Sequence, residues 1–332
     1  MGTKILSVVI PTYNMEEFLS RCLETLIVDE KKLTRLEVLV INDGSKDSSL
    51  QIANKYHAIY PETIKVIDKE NGNYGSCINR GLKEATGKYF RILDADDTFN
   101  KNALSKLLEV LDSSDDEMII TNYTYVYDTT GSVKKERTRG VVFGKSYDKF
   151  DFSKGNDEIL SMHAITYKTS LLKNINLHLD EGVSYTDLEY VYFPMQNVKS
   201  IKFFDIYLYE YHIGREGQTV DPRSQAKSLK SFLTVTKRLV DDYVSGYSNK
   251  DEILKANQRI TINKIIYATF KIGLVLCKKN SESDAVLKDI YRKIKRTDKN
   301  VMWLKMKKIK PIVLLWDITG IYFSSIKKLF TR

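Results

Sequence analysis

Three carboxylates stand within four residues, Asp94, Asp96 and Asp97, directly behind the apolar run Tyr89–Leu93. So close together they repel one another unless a cation lies among them. Hard oxygen donors at that spacing suit Mn²⁺ or Mg²⁺ bridging a diphosphate. The same residues also make a solvated turn, with Asp97 capping the next helix. Two earlier turns offer a different chemistry. Pro11-Thr12-Tyr13-Asn14 follows the first apolar run and Asn42-Asp43-Gly44-Ser45 the second. A tyrosine ring and a carboxylate on neighbouring turns can hold a flat heterocycle, one by stacking and the other by accepting from a ring N–H. Asn, Asp, Gly and Ser are equally ordinary turn residues. The glycine-rich run Asn71–Ser76, with Gly75 at its end, presents backbone N–H groups to a phosphate or to sugar hydroxyls, or is a plain turn. Downstream, His212 and Arg215 in His212-Ile213-Gly214-Arg215-Glu216 can clamp a diphosphate on loop closure or form a solvated turn. His163 either lines an acceptor site or is a satisfied core residue. No GxxxxGK[ST] loop occurs and no GxGxxG follows the first apolar run, which disfavours P-loop ATPases and dinucleotide binding.

The elements that must position these residues follow from periodicity. Short apolar runs at Ile5–Ile10, Leu36–Ile41, Ile64–Ile67, Tyr89–Leu93 and Met118–Thr121 predict strands. Between them lie helical patterns at Asn14–Val28, opened by an Asn14/Glu17 capping box, at Ser48–Tyr60, at Ser76–Ala85 with Gly87 as a left-handed cap, and at 102–111. Strands alternating with helices predict an α/β fold, a Rossmann-like, mostly parallel sheet whose ligands bind at the carboxyl ends of its strands. Residues 121–220 are irregular and aromatic, as expected of loops and short strands that shape a second subsite. From Ser224 the pattern is helical, over Ser224–Val244, Asp251–Lys278, Ser283–Lys295 and a segment beyond Pro311. The boundaries expected are a first domain over 1–220, divided near 120, and a helical C-terminal region over 221–332.

Four ordered motifs within residues 4–110, SVVIPTYN, EVLVINDGSKDSS, NGNYGS with NRGL, and GKYFRILDADD, resemble the family 2 inverting glycosyltransferases with the A-type nucleotide-diphospho-sugar transferase fold. The resemblance implies that Pro11, Tyr13 and Asp43 serve the nucleotide, that Tyr13 and Asp43 contact a uracil, that Asp94 lies near the ribose, and that Asp96 holds the metal. The family's acidic general base falls on Asp187 in Val183-Ser184-Tyr185-Thr186-Asp187-Leu188-Glu189, where Thr186 replaces the usual Glu and Glu189 is the alternative base. Ile78 stands where many members have the arginine of Ala-Arg-Asn, so no phosphate role transfers there. The implied reaction is attack of an acceptor hydroxyl on the anomeric carbon, with one base and one stabiliser of the leaving diphosphate. Its expected partners are a UDP-sugar and a glycan, lipid-linked in cell-surface polysaccharide synthesis.

The formal charge of +9 is confined to one end. Residues 288–332 hold 13 of the 52 Lys and Arg residues but 3 of the 43 acids, so this end carries +10 and the remainder −1. Lysines flanking an apolar segment with Trp303, Trp316 and Tyr322 predict that 301–332 lies on an anionic membrane surface, its helix beyond Pro311 carrying Ile312, Leu315, Thr319, Tyr322, Ile326 and Leu329 on one face. Packing of this helix on the C-terminal bundle is the other reading. A nucleic-acid binder is disfavoured by the neutral body and by aliphatics alternating with the lysines, and a catalytically silent scaffold by the intact acids. Cys22, Cys77 and Cys277 lack disulfide or metal spacing and indicate reduced thiols, and no export signal or membrane span is visible. The expected location is cytoplasmic, peripheral on the inner face of the membrane.

Overall fold

Parallel strands buried on both faces are continuous apolar runs, and the first two strands of the chain fit that description: β1 (Leu6–Thr12) has one partly exposed residue and β2 (Leu36–Asn42) none. The computed structural model describes residues 3–214, 222–298, 300–301 and 309–325. It divides into two units, one of residues 1–182 and 193–215, the other of residues 183–192 and 216–332.

The first unit adds β3 (Ile64–Asp68), β4 (Tyr89–Ile92), β5 (Thr98–Phe99), β6 (Met118–Tyr127), β7 (Ser132–Glu136), β8 (Ser146–Tyr147), β9 (Ile165–Lys168) and β10 (Ile201–Ile213). Its helices are α1 (Leu19–Glu24), α2 (Glu30–Leu33), α3 (Ser49–Ile59), α4 (Asn73–Glu84), α5 (Lys101–Ser113) and α6 (Thr169–Asn174). The sheet runs β3-β2-β1-β4-β9-β6-β10-β5, with β7 beside β6 and β8 beside β10. β1 is parallel to β2 and β4, and β2 to β3, as right-handed crossovers require. β9 is inserted antiparallel between β4 and β6, so the sheet is mixed in its second half.

Two glycines fix how closely the layers approach. A Cβ on Gly81 of α4 would lie 2.5 Å from Val9 Cγ1 of β1, and one on Gly87 would lie 2.6 Å from Ser7 N. Gly87 is thus required by close packing, and it does not take the left-handed conformation expected of a cap. The 14–28 helix is likewise shorter than its pattern. Asn14 adopts φ 53°, its Oδ1 accepts from Lys46 N at 2.8 Å, and its N–H donates to Ser45 Oγ at 3.1 Å. Asn14 therefore joins the turns after β1 and β2 and does not cap a helix.

The second unit comprises α7 (Asp187–Tyr192), α8 (Pro222–Lys227), α9 (Leu229–Val244), α10 (Glu252–Lys271), α11 (Ser281–Thr297) and α12 (Lys310–Thr319). α10 runs on into a π turn over Ile272–Leu276. α12 stops at Gly320, φ 67°, where a left-handed cap ends it. The helix expected beyond Pro311 is thus interrupted, so Tyr322 is not on the helical face assigned to it. Trp303, Lys305, Met306, Lys307, Lys308, Ile326, Lys327, Lys328 and Leu329 lie outside the described residues. Among the described residues no helix is long and apolar enough to cross a membrane.

Candidate functional site

Each β-to-α turn of the parallel half ends in one of the expected side chains. Tyr13, after β1, is 46% exposed, so its ring is available for stacking. Pro11 lies within β1, paired with Ile41 of β2. Asp43, one residue past β2, is buried, and its carboxylate accepts from Lys69 Nζ, from Gly72 N at 2.9 Å and from Asn73 N at 2.9 Å. It thereby binds the opening of α4. Tyr74 N donates to Asn73 Oδ1 at 2.9 Å. The N–H groups of Gly72, Asn73 and Tyr74 are therefore bonded internally, which corrects the expectation that this run cradles a phosphate with them. Gly75 is buried in the first turn of α4.

The acidic turn after β4 is differentiated by its neighbours. Asp94 is half-buried and its Oδ1 accepts from Tyr74 Oη at 2.8 Å. Asp96 is half-buried, and its carbonyl accepts from the Arg21 guanidinium at 2.8 Å. Asp97 is buried, and its carboxylate accepts from Tyr209 Oη at 2.6 Å and from His212 N at 2.8 Å, both on β10. The helix cap that Asp97 was one candidate for is supplied by Asn100, which accepts from Ala103 N. Burial, followed by the charges of Asp96 and Asp94, pushes the Asp97 carboxyl well above the usual carboxylate range, against the pull of its bonds to Tyr209 and His212.

His163 completes this cluster. Ligand-capable atoms of Asp94, Asp97 and His163 all lie within 4.8 Å of one another. Asp96 is not among the three. The imidazole stacks on Tyr211, with centroids 4.4 Å apart, and its Nδ1 lies 2.9 Å from Ser161 Oγ. Its backbone is anchored by Arg91, a fully buried guanidinium that donates to His163 O and to Thr166 Oγ1. Two carboxylates and an imidazole, with the ring oriented by a hydroxyl, form a donor set that fits Mn²⁺ better than Mg²⁺, whose ligands are oxygens.

His212 has a different task from the one expected. Its Nδ1 lies 2.7 Å from Asp128 Oδ1 and its Nε2 2.9 Å from Thr98 Oγ1, so both nitrogens tie β10 to the neighbouring β5 and to the turn after β6. A diphosphate clamp would need that pair broken. Arg215 lies outside the described residues.

In the second unit, Asp187 opens α7 and is half-buried. Burial raises its carboxyl to about 6, opposed by the N–H groups of Leu188 and Asp187 itself. Glu189, two residues on, has a fully buried side chain paired with Arg238 of α9 at 2.9 Å. That ion pair holds α7 to α9 and corrects the alternative assignment, because a base must reach its substrate's proton. Tyr185, at φ 68°, stacks on Phe232 with centroids 3.9 Å apart and fixes the entry to α7.

Tyr74, Tyr209 and Arg91 were not singled out as site residues. Arg91 carried the clearest signal, a charge inside an apolar strand pattern, which must find buried partners.

The glycosyl transferase family 2 model matches residues 7–175. The glycosyltransferase YibD of Escherichia coli K12 is 26% identical over 305 residues, 88% of this chain and 87% of that one. A Mycoplasma pneumoniae glycosyltransferase, the MG060 homolog, is 30% identical over 253 residues, 71% and 77% of the two chains. The crystal structure of the 1–349 fragment of Staphylococcus aureus TarS with UDP-GlcNAc shares the fold, with TM-score 0.66 at 20% identity, over 98% of this chain and 91% of that one. The motif order, the sheet and these likenesses together make the chain a glycosyltransferase, a member of glycosyl transferase family 2.

Proposed function

We propose that the chain transfers a sugar, with inversion, from a UDP-linked donor to a glycan acceptor that is lipid-linked and belongs to a cell-surface polysaccharide. The observation that carries this reading is the cluster of Asp94 and Asp97, in the turn after the parallel strand β4, with His163 from the approach to β9. Tyr13 stacks on the uracil, and Pro11 and Asp43 shape its pocket, Asp43 by holding the opening of α4 in place. Asp94 and His163, with Asp97 and the half-exposed Asp96, would hold Mn²⁺ or Mg²⁺, which when bound neutralises charge developing on the leaving diphosphate. The UDP-GlcNAc complex of TarS supports a uridine nucleotide as the donor's carrier.

Asp187 takes the proton of the attacking hydroxyl. A carboxyl raised to about 6 is ionised at neutral pH yet more basic than an ordinary aspartate, which suits a general base. The test is a thermal-shift and turnover pair. UDP with Mn²⁺ raises the melting temperature of the parent and of Asp187→Asn alike, while Asp187→Asn loses transfer by about 10²-fold or more. A parent that UDP with Mn²⁺ leaves unshifted sinks the donor site, and an Asp187→Asn variant that keeps its turnover sinks the base.

A further inference from the structure

α12 has two apolar faces with different fates. Inward, Ile309, Val313 and Trp316 are buried with Tyr322 beyond the cap, and Trp316 Nε1 and Tyr322 Oη both donate to Asp284 of α11, at 2.8 and 3.1 Å. Lys279 Nζ donates to Gly320 O at 2.9 Å, and Ser324 Oγ to Cys277 O at 2.6 Å. These bonds hold the helix to its own unit. Outward stand Leu314, Leu315, Ile318 and Ile321, all exposed, with Ile318 81% exposed. Leu314, Leu315 and Ile318 form a ridge at i, i+1 and i+4 on one side of α12, and Ile321 is exposed just past its Gly320 cap. Leu276, on the π turn against which α12 packs, is exposed as well. Asp317, the one acid of the helix, accepts from Tyr291 Oη at 2.9 Å and pairs with Lys295 at 3.2 Å, so its charge is compensated beside the ridge.

We propose that this ridge is a docking surface for an anionic lipid bilayer, with α12 lying in the plane of the interface and its unit standing above it. Charge selects the occupant. In sequence, Lys305, Lys307 and Lys308 precede the helix, Lys310 opens it, and Lys327, Lys328 and Arg332 follow it, and an exposed aliphatic surface on a segment so flanked in sequence matches the headgroup and acyl boundary of an anionic leaflet. A second copy of the chain would bring the same positive charge to a self-complementary contact, which opposes association. The inference is independent of the donor site, and its test reads binding alone.

The full chain is sedimented with vesicles of phosphatidylcholine alone and of phosphatidylcholine with phosphatidylglycerol. The parent pellets with the second and not the first, and 0.5 M NaCl releases it. Combined Leu315→Ser, Ile318→Ser and Ile321→Ser lowers the partition coefficient about a hundredfold while the melting temperature falls by no more than a few degrees, since Ile318 is 81% exposed and the other two partly so. Equal binding by this variant, or a parent that ignores phosphatidylglycerol vesicles, overturns the proposal. A concentration-dependent dimer of the parent that the variant abolishes, with no vesicle binding, also overturns it and gives the ridge to a second copy.

Discussion

Two acidic stretches, Asp94–Asp97 in the first unit and Asp187–Glu189 in the second, each bury one carboxylate and leave another half-buried, yet they solve the burial differently. Asp97 is met by the Tyr209 hydroxyl and the His212 N–H, neutral donors that only partly offset the burial pushing its carboxyl up. Asp96 and Asp94 add to the cost of ionising Asp97. Glu189 is met by Arg238, so its charge is cancelled on the spot. Asp187 is then raised by burial, with no neighbouring charge among the causes. The first arrangement gathers three carboxylates at one turn, which favours a cation. The second leaves one carboxylate in a locally neutral setting, which favours proton transfer. On the proposed reading, the choice of partner, hydroxyl or guanidinium, distinguishes the acid cluster that would hold a metal from the acid that would serve as base.

This contrast can be broken by experiment. The largest effect is expected where the cancelling charge is removed. Arg238→Met leaves Glu189 buried and uncompensated and costs about 3 kcal/mol, measured by urea denaturation, while adding Glu189→Gln recovers most of it. A loss under about 1 kcal/mol would mean that the pair is not what neutralises Glu189. Next is the pH dependence of transfer. With Asp187 near 6, turnover at pH 5 falls about tenfold below its plateau, because the protonated form cannot accept the acceptor's proton. A profile flat down to pH 4.5 removes Asp187 from the reaction. A comparable effect, about tenfold, is expected on Mn²⁺ affinity in calorimetry with UDP when Tyr74→Phe deprives Asp94 of its oriented hydroxyl donor.

The smallest effect concerns stability. Asp187 binds its proton more tightly folded than unfolded, so its ionisation opposes folding as pH rises from the unfolded value, near 4, through about 6. Asp187→Asn should therefore raise the melting temperature by about 2 °C at pH 7.5 and leave it unchanged at pH 4. A variant that melts lower at pH 7.5 would show that Asp187 serves packing.

Much of the parallel half was legible because its signals are local. An apolar run ending in a polar turn marks a strand's carboxyl end, and the turns after β1, β2 and β4 were located that way, with Tyr13, Asp43 and Asp94 on them. The elements that went astray depended on distant residues. Asn14 has every local property of a cap, yet Ser45 and Lys46 capture it. Gly87 has the position of a left-handed cap, yet Ser7 of β1 passes too close for a side chain. His212 resembles a loop histidine until β10 is seen pairing with β5 and β6, where Thr98 and Asp128 bracket its ring.

By itself the sequence determined the alternation of strands and helices, the family motifs and the gathering of positive charge at one end, since composition and short-range periodicity encode these directly. Only the tertiary structure decided that Asp97 turns toward Tyr209, that His163 joins Asp94, that Glu189 is consumed by Arg238, and that α12 keeps one apolar face in and one out. Each of those outcomes is a contact between residues tens of positions apart or more. Its energy depends on which side chain the fold brings to hydrogen-bonding distance, and no local pattern records that.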